Sequence, residues 1–254
     1  MRLVDLSAPI TPSPPDTPDL LRTEIEFVDH AGGAAQIKEM FGVGTELLRR
    51  DEGWSLENFL RLGTHSATHV DAPYHYNSVI QGKPAQTIDE LPLDWFFRPG
   101  VVVDFHQRGD GETIETDDLE AALSATGHEL EPLDIVLVRT GRDALYSAPD
   151  YMQRGPGVSA GATRWLYERG VRVMGIDAWG WDRPLHLQAA EALSSGERGI
   201  FWAAHQVDLP YSQIERLANL DQLPASGFTV ACFPLRLIGA SAAPARVVAL
   251  VPDA

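Results

Sequence analysis

Three histidines and an aspartate fall within eleven residues, His65-Ser66-Ala67-Thr68-His69-Val70-Asp71-Ala72-Pro73-Tyr74-His75. The residues around them decide what this stretch can become. Thr64, Thr68 and Val70 are β-branched, Gly63 weakens a helix, and Pro73 breaks one from within. The expectation is extended chain. His65, His69, Asp71 and His75 share one parity with Ala67 and Pro73, so a strand points all four polar side chains to one side. A straight strand of that length would span roughly 33 Å at about 3.3 Å per residue, too far for all four to meet one ion. The chain must therefore bend, and Ser66-Ala67 and Ala72-Pro73 are the expected places. His69 and Asp71, two residues apart, can share an ion without any bend.

Imidazole and carboxylate donors together are the composition of a divalent-metal site, with zinc or manganese the expected ion. His65, His69 and Asp71 are the expected ligands. Three protein ligands leave room for water, and a divalent ion lowers the pKa of bound water from about 15.7 to about 7, so hydrolysis is the simplest chemistry. His75 titrates near neutrality and is the expected acid/base.

The 254 residues suit one domain spanning 1–254, and 44% hydrophobic residues suffice for a sizeable core. A net charge of −16 argues against nucleic acid and against anionic membrane surfaces. No signal-peptide pattern and no apolar run of about 18 residues is present, so the expected location is the cytoplasm. Cys232, the one cysteine, lies in the apolar run Phe228–Phe233 and is expected to be a buried, inert thiol. There is no phosphate-binding loop and no Gly-x-Ser-x-Gly nucleophile.

Along the chain, Leu3–Ile10 reads as a strand, Thr11–Pro18 as a proline-rich loop, residues 23–29 as a strand, and 30–35 as a loop. Val101–Phe105, Ile135–Arg139, Val171–Ile176, Phe228–Phe233 and Arg246–Val251 read as strands. Helices are expected from a Thr116 cap through Ala125, over Ser159–Arg169 ending at Gly170, and over Ser212–Asn219 with Gln213 and Glu215 inside it. The irregular alternation indicates an α/β fold with a mixed sheet.

At His65–His75 the sequence resembles the metal-dependent cyclase family that includes bacterial arylformamidases (kynurenine formamidases) and isatin hydrolases. That family's fingerprint is His-x-Gly-Thr-His-x-Asp-x-Pro-x-His, and here Ala67 stands where glycine is usual. Asp5-Leu6-Ser7 resembles the opening strand, Val173–Asp177 the central strand, and Pro244-Ala245-Arg246 the closing Pro-x-Arg strand. His205 and Ile214–Leu220 resemble the downstream His and Glu-Asn-Leu segment, with Arg216 in place of its first Asn. The resemblance implies a single compact domain with a mixed sheet, a β-barrel-like core and flanking helices, the swivelling β/β/α type. It implies that His205 and Glu215 complete a second ion site in two-metal members, and that the protein assembles as a homo-oligomer, a dimer or tetramer. Formamidase members carry an early Trp-Pro-Gly-Asp segment, whereas Pro14–Leu20 has no tryptophan here. Trp179 and Trp181 are the expected pocket aromatics, and Trp54 and Phe59 the expected core ones.

The expected function is hydrolysis of an amide carbonyl, a formamide or cyclic amide, in a small-molecule substrate. A lactone hydrolase or polyketide-type cyclase is the alternative within catalysis. A protein that binds metal or a small ligand without turnover is the alternative outside it.

Overall fold

The computed structural model describes residues 1–253 apart from Asp16, which lies in the proline-rich loop expected over 11–18. Two compact units emerge. One comprises Met1–Pro9 with Ala67–Ala254, the other Ile10–Ser66.

The larger unit is built on nine strands: β1 (Arg2–Asp5), β2 (His69–Asp71), β3 (Phe97–Asp104), β4 (Ile135–Arg139), β5 (Val173–Ile176), β6 (Ser212–Glu215), β7 (Phe228–Ala231), β8 (Ala242–Pro244) and β9 (Val248–Val251). Their order in the sheet is β1-β9-β7-β3-β4-β5-β6-β2-β8. The central β3, β4, β5 and β6 run parallel, and every other pairing is antiparallel. The sheet is mixed, as expected.

The sheet has to curl. β8 is one edge strand and β9 lies next to the other edge. In a flat sheet that separation would be roughly 34 Å, at about 4.8 Å per strand. From Pro244 to Val248 the chain can reach only about 14 Å. A bridge between Ser7, just past β1, and Leu217, just past β6, joins the same two sides. The core is accordingly barrel-like.

Strand alternation then sorts the apolar residues onto two faces. Val4, Val70, Val102, Leu137, Val173, Ile214, Val230, Ala243 and Ala249 fill the inside of the curl, one from each strand. Val101, Val103, Val136, Val138, Met174 and Ile176 face outward. They are covered by α1 (Pro73–Tyr76), α2 (Thr116–Thr126) and α3 (Ala160–Glu168), through Tyr76, Leu119, Leu123, Ala162 and Leu166. Burial on both faces explains why the parallel strands read as unbroken apolar runs. A further helix, α4 (Leu185–Ser195), lies between β5 and β6 in sequence and was not expected. Cys232 is buried, and burial raises its pKa, which suits an inert thiol.

Three local expectations need correction. Residues 212–219 are not a helix. Ser212–Glu215 is strand β6, paired on both sides, and the chain beyond it turns through left-handed backbone at Arg216 and Asn219. The cap of α2 is Glu115 rather than Thr116: its side chain and that of Asp118 satisfy each other's backbone N–H groups. Residues 30–35 open a helix over His30–Phe41, because Asp29 accepts a hydrogen bond from Gly32 N and Gly42 closes the far end in left-handed conformation.

The smaller unit pairs Glu24–Val28 antiparallel with Leu56–Arg61, and the His30–Phe41 helix lies between them in sequence. Trp54 and Phe59 are partly exposed, at 39% and 57%, rather than core. Gly33 is required there, since an added Cβ would stand 1.8 Å from the Trp54 carbonyl oxygen. A Gly33→Ala change should cost about 1–3 kcal/mol through the forced shift, outweighing its helix-propensity gain of about 1 kcal/mol. Amide hydrogen exchange over residues 24–61 should accelerate, and protection equal to wild type would contradict this close packing.

Candidate metal centre

Pairing register brings the candidate ligands together. Val70 and Ile214 point into the curl, so His69, Asp71, Gln213 and Glu215 project from the other face. Glu215 lies opposite His69, and Gln213 opposite Asp71. Two short alternating segments, 141 residues apart in the chain at their nearest (Asp71 to Ser212), thus share one polar patch.

The backbone bends where expected. Ala67 has φ of +52°, in the left-handed region where glycine is preferred. Pro73 begins the one-turn helix α1, which swings His75 back, and His75 N donates to Ala72 O at 2.8 Å. His75 Nε2 thereby comes to 3.9 Å from Asp71 Oδ2.

Donor atoms of His69, Asp71 and Glu215 all lie within 4.8 Å of one another, and all three residues are buried. His69 Nε2 is 3.3 Å from Asp71 Oδ1 and 3.6 Å from Glu215 Oε2. Its other nitrogen, Nδ1, donates to Ala67 O at 2.9 Å, which fixes the ring with Nε2 facing the carboxylates. His205 Nε2 stands 3.5 Å from Glu215 Oε1 and 4.0 Å from Asp71 Oδ2. Its Nδ1 is held by Asp182 Oδ2 at 2.5 Å, the carboxylate–histidine arrangement that orients metal-binding imidazoles. Trp181 N donates to Glu215 Oε1 at 2.9 Å.

The electrostatics call for positive charge. Burial alone would lower the His205 pKa, but hydrogen bonds and charge from Asp182 and Glu215 overcome it and push it up to about 10. Burial and the Asp71 charge work against ionised Glu215, yet His205 and His69 hold its pKa below the usual carboxylate range. Two buried carboxylates a few ångströms apart stay ionised together only beside cations. The same oxygens that hold a proton on His205 suit a divalent ion, and imidazole nitrogen with carboxylate oxygen is a donor set for zinc or manganese. The residues present fit a metal.

His65 stands in the smaller unit, half-buried, in a turn closed by Ser66 N donating to Gly63 O at 3.1 Å. In the larger unit, His69, Asp71, His75, His205 and Glu215 come together around one patch. Sequence reasoning missed Asp182 and Trp202. Trp202 stacks on His205 with centroids 4.5 Å apart and meets His75 edge-on at 4.8 Å. Their only signal was proximity to residues already suspected: Asp182 follows Trp181, and Trp202 lies three before His205. Trp181 is not a pocket aromatic. Its ring is fully buried in the outer core, and Nε1 donates to Thr163 Oγ1 at 2.9 Å. Thr140 and Gly141 close a turn by donating to buried Asp177 at 2.6 to 2.8 Å.

Known proteins carry the same framework. The Cyclase family model matches residues 4–183. The chain is 29% identical over 211 residues to isatin hydrolase of Roseibium aggregatum, covering 78% of this chain and 75% of that one. It is 30% identical over 204 residues to kynurenine formamidase of Paracidovorax citrulli, covering 76% and 79%. In structure it is similar to isatin hydrolase A from Ralstonia solanacearum, with a TM-score of 0.76 and 25% identity over 99% of this chain and 92% of that one. With most of its length matched by the family model, the chain belongs to the Cyclase family.

Proposed function

We propose that the protein is a divalent-metal-dependent hydrolase that cleaves an amide carbonyl, a formamide or cyclic amide, in a small molecule. The observation that carries this reading is the buried His69–Asp71–Glu215 cluster, whose donors need a cation between them. The isatin hydrolase and kynurenine formamidase relatives support the amide assignment.

His69, Asp71, His205 and Glu215 would hold the metal, one ion or two, zinc or manganese. His65 joins them on the sequence motif. When bound, the ion supplies Lewis-acid chemistry, withdrawing charge from a carbonyl and acidifying water. His75 is the acid/base. It takes a proton from the attacking water and returns it to the leaving nitrogen, and Asp71 Oδ2, 3.9 Å away, favours the protonated ring between the two events. Trp202, edge-on to His75, limits how that ring can turn.

The proposal includes a homo-oligomer, a dimer or tetramer, supported by exposed Leu20, Phe27, Met40, Phe41, Leu47 and Leu60 in the smaller unit. It also includes a cytoplasmic location. Among the described residues no helix is long and apolar enough to cross a membrane.

The test combines metal analysis with turnover. The full chain is purified without chelator, its metals are quantified, and N-formylkynurenine, isatin and simple lactones are assayed with and without chelator. Turnover of an amide that chelator abolishes is expected. Lactone turnover alone would move the substrate class, bound metal without any turnover would favour a binding role, and a metal-indifferent protein would sink the proposal.

A further inference from the structure

We propose that Arg216 is a specificity-determining residue that receives a carboxylate carried by the substrate beside the scissile amide; this rests on the hydrolase reading above. Arg216 follows Glu215 directly, at the end of β6. Continued strand alternation would send its side chain the same way as Ile214, into the apolar inside of the curl. The backbone turns instead, with φ of +58°, a conformation that costs a non-glycine residue energy unless its surroundings hold it. They do hold it. Arg216 N donates to Ala178 O at 3.1 Å, and Thr68 Oγ1 donates to Arg216 O at 2.5 Å.

The turn delivers the guanidinium to the Trp179 ring, 4.9 Å from its centroid, with Nε donating to Trp179 O at 3.3 Å. Trp179 precedes Gly180, where an added Cβ would lie 3.4 Å from Glu215 Oε1. The indole that carries the guanidinium is therefore one residue removed from the wall of the carboxylate cluster. Its charge bears on the Tyr146 and Tyr151 phenols as well.

The chain carries 36 acidic residues against 20 basic ones. Arg22, Arg61, Arg139, Arg142, Arg154 and Arg246 all pair with carboxylates. Among the described residues half-buried Arg216 makes no ion pair, and a backbone carbonyl takes only one of its five N–H donors. A planar fork anchored beside an indole by a backbone bond has further N–H donors to offer a planar two-oxygen acceptor, and a carboxylate fits that geometry.

The experiment uses the zinc- or manganese-loaded full chain with two formamides identical but for a carboxylate, N-formylanthranilate and formanilide. Wild type should favour the carboxylated one. In Arg216→Met the ratio of the two kcat/KM values should fall by about tenfold or more, through KM of the carboxylated substrate, and Arg216→Lys should recover part of it. Titration calorimetry with benzoate reads the same contact without turnover and should weaken by about tenfold in Arg216→Met. An unchanged ratio with unchanged benzoate affinity would overturn the proposal, as would an equal loss on both formamides with benzoate binding intact. If the loaded wild type hydrolyses neither these formamides nor the substrates assayed above, the hydrolase reading has failed, and the benzoate titration still decides the role of Arg216.

Discussion

Asp71→Asn should strip the centre of its metal while leaving the fold in place. Asp71 is fully buried, and its two oxygens face His69 Nε2 at 3.3 Å, His75 Nε2 at 3.9 Å and His205 Nε2 at 4.0 Å. It thus faces two other candidate ligands and the acid/base His75. Asparagine keeps the shape and removes the charge. Loss of a partner outside the ligands themselves typically costs about 10–100-fold in metal affinity, and loss of a shared ligand should exceed the upper end of that range. Turnover should fall by at least as much. The thermal signature is separate from activity, because a metal that binds only the folded state raises Tm. Wild type should melt higher with metal than without, and in Asp71→Asn that gap should close. A variant that keeps wild-type metal content and the full gap would remove Asp71 from the centre.

The largest stability effect is expected at Trp181. Its ring is fully buried between the sheet and α3, and its indole N–H is spent on Thr163. Trp181→Ala should cost about 3–5 kcal/mol through lost burial and the cavity left behind. At about 2–4 °C per kcal/mol for a chain of this size, the metal-free protein should melt roughly 10 °C lower. The bond to Glu215 comes from the Trp181 backbone, so a metal site of near-native affinity should persist below the new Tm. A loss under about 1 kcal/mol would mean the site collapses around the missing ring more fully than close packing allows.

Much of the framework was legible because it is local. Apolar runs such as Val101–Phe105 and Ile135–Arg139 name themselves as buried strands, and the β-branched residues around His69 exclude a helix there. Glu215 was harder. Ser212–Glu215 looks helical in isolation, and only pairing with β5 and β2, formed by distant residues, makes it a strand. The reading of that residue as a candidate ligand came from the resemblance, while the reason it can act as one lies in the register opposite His69. Asp182 acts through His205, 23 residues away, a relation that no spacing rule reveals. The helix Leu185–Ser195 was missed despite a proline before it and Gly196 after it, both ordinary boundary signals.

The way the sheet closes also has a consequence for synthesis. Among the described residues β1 finds its ladder partner in β9, pairing Arg2 with Val251. At roughly 5–20 residues per second, a ribosome needs somewhere between about 12 and 50 seconds to bring out the intervening chain. Throughout that time the β9-facing edge of β1 has nothing to zip to, and the apolar residues destined for the inside of the curl lie open to other chains. Residues 10–66, whose contacts are short in sequence, can fold in the meantime. Nascent chains should therefore become protease-resistant in two steps, the inserted unit early and the barrel only after β9 has cleared the exit tunnel.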